Sequence, residues 1–205
     1  LGVTAAELEK AVWDLINTVK YHPIPMGSFM LDYIGLKAII VQSLYSTALW
    51  PQLTSLLDNL LNGNIDDALA ELEQYPVPTE EELNMPMAIM GIHCGDRTPR
   101  VSSFDEFLPA IDKLYNVSKF MGDVTPGFSM TCTQWKIEAK ERYEGDFQVQ
   151  TKKPVLLIGN TYDGLTPLVS AYNVSSGLKG SVVLEVKGYG VCKNPSNLEF
   201  YGRNI

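Results

Sequence analysis

Few side chains in this sequence can move a proton or attack a carbonyl, and two short stretches hold the informative positions. Asp163 lies in "TYDGLTP" (161–167), directly after the apolar run "PVLLIGN" (154–160). A second apolar run, "SVVLEV" (181–186), leads into the Gly-rich "KGYGVCKN" (187–194). An acid past the end of one strand can orient a base held past the end of the next, and that base can deprotonate a hydroxyl. The loop offers Val191 where a base would stand, and valine neither accepts nor donates a proton. The two histidines are elsewhere: His93 in "GIHCGD" (91–96) and His22 in "YHPIP" (21–25). His93 reads as a rim residue and candidate substrate contact, His22 as a solvated turn residue. Asp96 is either a contact for a substrate ammonium group or a turn aspartate before Arg97. Cys192, near Lys187 and Lys193, reads as a packing residue rather than a nucleophile, which would need a nearby base to lower its pKa.

Composition excludes several classes. Among 205 residues, a net charge of −8 with scattered basic residues argues against nucleic-acid binding, which needs a clustered basic surface. Hydrophobic content of 45% with 20% charged residues is that of a globular chain, and no apolar run reaches membrane-spanning length. "LGVTAAELEK" has neither the basic start nor the apolar centre of a signal peptide, and its non-Met start suggests a processed or excerpted chain. Cys94, Cys132 and Cys192 lack metal-ligand spacing, so no metal site or cofactor is expected. A Cys94–Cys132 disulfide and three free thiols remain alternative readings. Two sequons, at Asn116 and Asn173, would be acceptors only on a secretory route, and the compartment stays open.

These residues must be positioned by secondary structure. The first 84 residues read as a helical module. "TAAELEKAVWDLINTVK" opens with a capping box between Thr4 and Glu7, with Leu8, Ala11, Val12, Leu15, Ile16 and Val19 on one face. A second helix is expected from 28 to about 49, ended by Trp50-Pro51. "PQLTSLLDNLLNGNIDDALAELEQ" predicts two more, split at "NGN". Residues 85–205 change character. Apolar runs at 86–92, 154–160 and 181–186 read as three parallel strands, with helices between them at 103–121 and 166–178. Three apolar strands without managed edges call for something to cover the open side of strand 86–92, a second chain or the helical module.

With these pieces in place, the chain resembles the α/β-hydrolase fold, and in particular the fungal tripeptidyl aminopeptidase-like branch of the prolyl-aminopeptidase family. The carrying stretches are "AIMGIHCGD" (88–96), "CTQW" (132–135), "AKERYEGDF" (139–147), "KKPVLLIGNTYDGLTPLVSA" (152–171) and "GSVVLEVKGYGVC" (180–192). The resemblance implies that 1–84 is a lid and 85–205 the carboxyl-terminal part of the hydrolase domain. It implies that Asp163 occupies the place of the triad acid and Val191 that of the histidine, the family reading Gly-His-Cys at 190–192. The chain contains no G-x-S-x-G, so the nucleophile and first strands would have to come from an absent amino-terminal half. Trp13, Tyr33, Tyr45 and Trp50 would then pack within the lid or line a pocket beneath it.

Three functional expectations follow. The chain is the carboxyl-terminal portion of a tripeptidyl aminopeptidase-like serine hydrolase, inactive in isolation. Alternatively it is a pseudoenzyme or partner subunit holding a small molecule or peptide, or a repurposed non-hydrolytic catalyst using Asp163. The expected partner is the missing half or a second chain that completes the sheet, including a homodimer; neither nucleic acid nor membrane is expected.

Overall fold

The computed structural model of the chain describes residues 4–75, 80–96, 100–191 and 200–204. The chain divides into two compact units, Leu1–Ala38 with Leu56–Tyr143, and Ile39–Ser55 with Glu144–Ile205. The division expected at 84/85 instead falls inside a helix, Glu80–Asp96.

In the first unit, helix α1 (Ala5–Tyr21) begins with the expected capping box: Thr4 Oγ1 accepts from Glu7 N at 3.2 Å, and Glu7 Oε2 accepts from Thr4 N at 2.9 Å. Its face buries Leu15, Ile16 and Val19. The single helix expected over 28–49 is replaced by several elements. Strands β1 (Ile24–Met26) and β2 (Phe29–Leu31) form an antiparallel hairpin, followed by α2 (Tyr33–Ser43) and a 3₁₀ turn (Thr47–Leu49). Helix α3 (Trp50–Asn62) then starts where a helix end was expected. Pro51 lies in its first turn, where the missing N–H costs nothing. Helix α4 (Ile65–Glu73) follows after Gly63-Asn64, with Gly63 at φ +75°.

The 86–92 run is the main correction. It is helical, the carboxyl-terminal part of α5 (Glu80–Asp96), and not a strand. An apolar run this short does not distinguish strand from helix by period. Here the unbranched Met and Ala residues continue a segment that opens with three glutamates, which suit a helix amino terminus. Cys94 on α5 is disulfide-bonded to Cys132 on α7 (Pro126–Thr133), and both are buried. Arg100 reinforces this junction by donating from Nη2 to Cys94 O and from Nε to Trp135 O, each at 2.9 Å. Helix α6 (Phe104–Val117) lies between, with Ser103 Oγ accepting from Glu106 N.

Lys37 of α2 is completely buried. Its ammonium donates to Asp123 Oδ1, to Lys119 O at 3.2 Å and to Tyr33 Oη at 3.2 Å, and lies 4.8 and 5.4 Å from the ring centroids of Tyr33 and Phe120. Tyr33 Oη in turn donates to Asp123 Oδ2. Trp13 packs edge-on against Phe120, so Trp13 and Tyr33 belong to this cluster.

The second unit contains a three-stranded sheet in the order β3-β4-β5, formed by Leu156–Tyr162, Val182–Tyr189 and Phe200–Asn204. β3 and β4 are parallel and joined through helix α8 (Leu168–Ser176), as their apolar runs predict. The third strand differs from expectation: β5 is antiparallel to β4, and 86–92 takes no part. Among the described residues β3 and β5 each pair on one side only, so β3 is one of two open edges. Leu156 and Ile158 on it are 58% and 50% exposed, too apolar and too regular for an edge left in water.

Two predictions follow. Burial opposes the charge on Asp123, but the hydrogen bonds from Lys37 and Tyr33 and the Lys37 charge outweigh it and hold the carboxyl below its usual range. The pair's contribution is therefore present above the unfolded carboxyl value near 3.8 and lost as pH falls through the lower folded value. Tyr33 is pushed up to about 12, by burial first and then by the Asp123 bond and charge, so stability should also fall as pH rises from about 10. Asp123→Ala leaves the Lys37 ammonium buried and should cost about 3–5 kcal/mol in urea unfolding at pH 7, with a weakened acid limb. Replacing Cys94 and Cys132 together by serine removes a cross-link over 38 residues and should cost about 3–4 kcal/mol in the same assay.

Candidate active site

The candidate site is built from the carboxyl ends of β3 and β4, where ligands of parallel sheets bind. β3 is long and apolar enough to hold its register with β4 from Leu156↔Val182 to Asn160↔Val186. The pairing then shifts, and Tyr162 faces Tyr189. β4 takes three steps where β3 takes two, so one extra residue bulges from β4 around Lys187 and Gly188. Such a bulge redirects the chain that follows it. It brings the rings of Tyr162 and Tyr189 into a stack at 4.7 Å, with Trp50 edge-on to Tyr189 at 5.6 Å.

Asp163 follows directly after β3 and is half-buried. Its Oδ1 accepts from Leu165 N at 2.9 Å and Thr166 N at 2.8 Å, and its Oδ2 accepts from Thr166 Oγ1 at 2.5 Å. The aspartate thus closes its own turn, while the first turn of α8 receives no side-chain cap. A carboxylate offers about four lone-pair positions. Three accepted bonds leave room for one more donor.

Val191 stands at the end of the loop after β4. A cavity of about 770 Å³ is lined by 155–160 of β3, by Asp163, Thr166 and Pro167, by the Ser170–Val174 face of α8, and by Val191. The acid and base positions read from the sequence therefore share one cavity within one unit. The other two candidates do not line it. His93 and Asp96 sit exposed near the end of α5 in the other unit. With 86–92 helical, the expectation that a strand carries His93 to the rim no longer holds. Cys192 lies outside the described residues. Among the described residues, no group of three His, Cys, Asp or Glu side chains could hold a metal ion. No described helix is long and apolar enough to cross a membrane.

Sequence reasoning missed the residues that hold this rim together. Asn160, 5% exposed, donates from Nδ2 to Gly190 O at 2.5 Å. Gly190 N donates to Tyr162 O, and Val191 N to Tyr45 O, each at 3.1 Å. Gly190 has φ +77°, and a Cβ there would lie 3.1 Å from Tyr45 O and 3.2 Å from Leu44 O, so only glycine fits. The signal available in advance was a polar residue interrupting a buried strand, since a buried amide requires partners. On the opposite face of the sheet, Glu185 accepts from Thr161 Oγ1 at 3.0 Å and from Tyr172 Oη of α8 at 3.3 Å.

Residues 118–197 match the family described as "TAP-like protein", an α/β-hydrolase family. The chain is also 25% identical over 150 residues to proteins named "Serine protease Hip1" from Mycobacterium bovis and from two strains of Mycobacterium tuberculosis. The matched region is 70% of this chain, and the chain spans about 28% of the length of these curated relatives. The family match includes β3, Asp163, α8 and Val191, which line the cavity. The family match is confined to 80 of the 205 residues, the part of the chain that holds β3, α8 and β4.

Proposed function

We propose that the chain is the carboxyl-terminal portion of a tripeptidyl aminopeptidase-like serine hydrolase, with Asp163 at the acid position and Val191 at that of the histidine, and that it does not hydrolyse peptides on its own. The observation that carries this reading is the shared cavity: two positions 28 residues apart (191 − 163) meet at the carboxyl ends of adjacent parallel strands. In a triad the acid fixes the tautomer of the imidazole and stabilises its charged form, and the imidazole takes the serine proton. Asp163 retains lone-pair capacity for the first task. Val191 has no atom for the second.

The remainder of the machinery would come from another segment. The unpaired β3 edge, with Leu156 and Ile158 exposed, suits a further strand, from a preceding part of a longer protein or from a second chain such as another copy. That element would also supply the serine. Residues 1–84 would act as a lid over such a completed site.

A second reading, a binding protein or non-hydrolytic catalyst, is favoured by one feature. Asp163 is engaged in three bonds within its own turn, so the turn needs the aspartate even without catalysis. The two readings differ in what a restored base would do.

The purified chain should label no serine with a fluorophosphonate probe and turn over no aminoacyl or tripeptidyl chromogenic substrate. In the longest natural polypeptide that contains this chain and a G-x-S-x-G serine, Val191→His should create both activities. Adding Asp163→Asn should then lower turnover by about 10⁴-fold. Absence of labelling after Val191→His would favour the second reading. Turnover by the unaltered chain that disappears with Asp163→Ala would contradict both.

A further inference from the structure

We infer that Asn160 is a positioning residue: its buried amide fixes the loop that carries residue 191 so that this side chain faces Asp163. The inference rests on the reading of 163 and 191 as acid and base positions, and it adds the group that sets their relative placement.

The loop after β4 leaves a bulge, and a bulge alone leaves its direction open. Three hydrogen bonds settle that direction. Two are backbone bonds, Gly190 N to Tyr162 O and Val191 N to Tyr45 O. The third is the Asn160 side chain to Gly190 O, and it alone runs from a side chain of β3 to the loop. A carbonyl can only accept, so the amide must present its NH₂, and no carboxylate or aliphatic side chain of similar size can replace it. Asn160 precedes Asp163 by three residues on the same strand end. The strand that delivers the acid therefore also grips the loop that delivers its partner. In the acyclic geometry of two separate loops, a shift of about 1 Å would be enough to break an acid–base contact.

An imidazole introduced by Val191→His reports this placement without any need for catalysis. The charged groups on the elements packed around it are few. Segment 39–55 and helix α8 contain no Asp, Glu, Lys, Arg or His. Glu185 of β4 is turned to the α8 side, and Lys187 lies at the bulge. Among the described residues, Asp163 is the carboxylate that lines the cavity with position 191.

The test is an NMR pH titration of the imidazole in the full 205-residue chain bearing Val191→His. The expected pKa is about one unit above the ordinary value near 6.5, and Asp163→Asn should remove that rise. Adding Asn160→Ala should also remove most of it. Asn160→Leu, which keeps the volume and lacks the donor, serves if the alanine variant does not fold. Val183→Ala is the structural comparator, because Val183 is equally buried in β4 and touches none of the three loop bonds. It should lower the melting temperature and leave the imidazole pKa in place. A raised pKa that survives Asn160→Ala and Asn160→Leu overturns the role of Asn160 while the acid–base reading stands. A fall matched by Val183→Ala also overturns it, as a general effect of destabilisation. No rise in the Val191→His chain overturns both.

Discussion

The parallel pairing of β3 with β4 is the constraint on which the site depends. Once Leu156 to Asn160 are in register with Val182 to Val186, the carboxyl ends of both strands must open on the same side. Asp163 and Val191 are then neighbours by geometry and not by sequence. The bulge at 187–188 and the left-handed Gly190 then bend the chain back, where Asn160 and the Tyr45 carbonyl hold it. Nothing in the fold of β3, α8 or β4 requires an imidazole at 191, and valine packs against the same cavity wall.

Much of this unit was legible in the sequence. The runs 154–160 and 181–186 are bounded by Pro or Ser at one end and Gly at the other, and both are strands. The α8 crossover followed from Pro167 and from the apolar pattern after it. The rim was less legible, because its contacts are a side chain to a backbone carbonyl 30 residues away and a backbone bond from Val191 N to Tyr45 O. Such partners leave no periodic trace.

The first unit was legible where periodicity was strong and misleading where it was short. The Thr4–Glu7 capping box and the split at Gly63-Asn64 came through because each rests on a local hydrogen bond or a local φ value. The run 86–92 did not, because Met87, Ala88, Ile89, Met90 and Ile92 satisfy a buried helix as well as a strand. Pro51 was read as a stop and is a start, as proline is compatible with a first helical turn and disfavours only the turn before it. Lys37 shows the limit of hydropathy most plainly. A lysine in an apolar helix looks like an interruption, yet Asp123, two aromatic faces and a backbone carbonyl make it the centre of the local packing.

The most direct measurement is a crystal structure of the chain carrying Val191→His. If strands β3 and β4 present an acid and an empty base position to one another, the new imidazole will place a ring nitrogen about 2.7–2.9 Å from an Asp163 carboxylate oxygen. An imidazole turned away from Asp163, with the aspartate still closed on Leu165 and Thr166, would contradict the account.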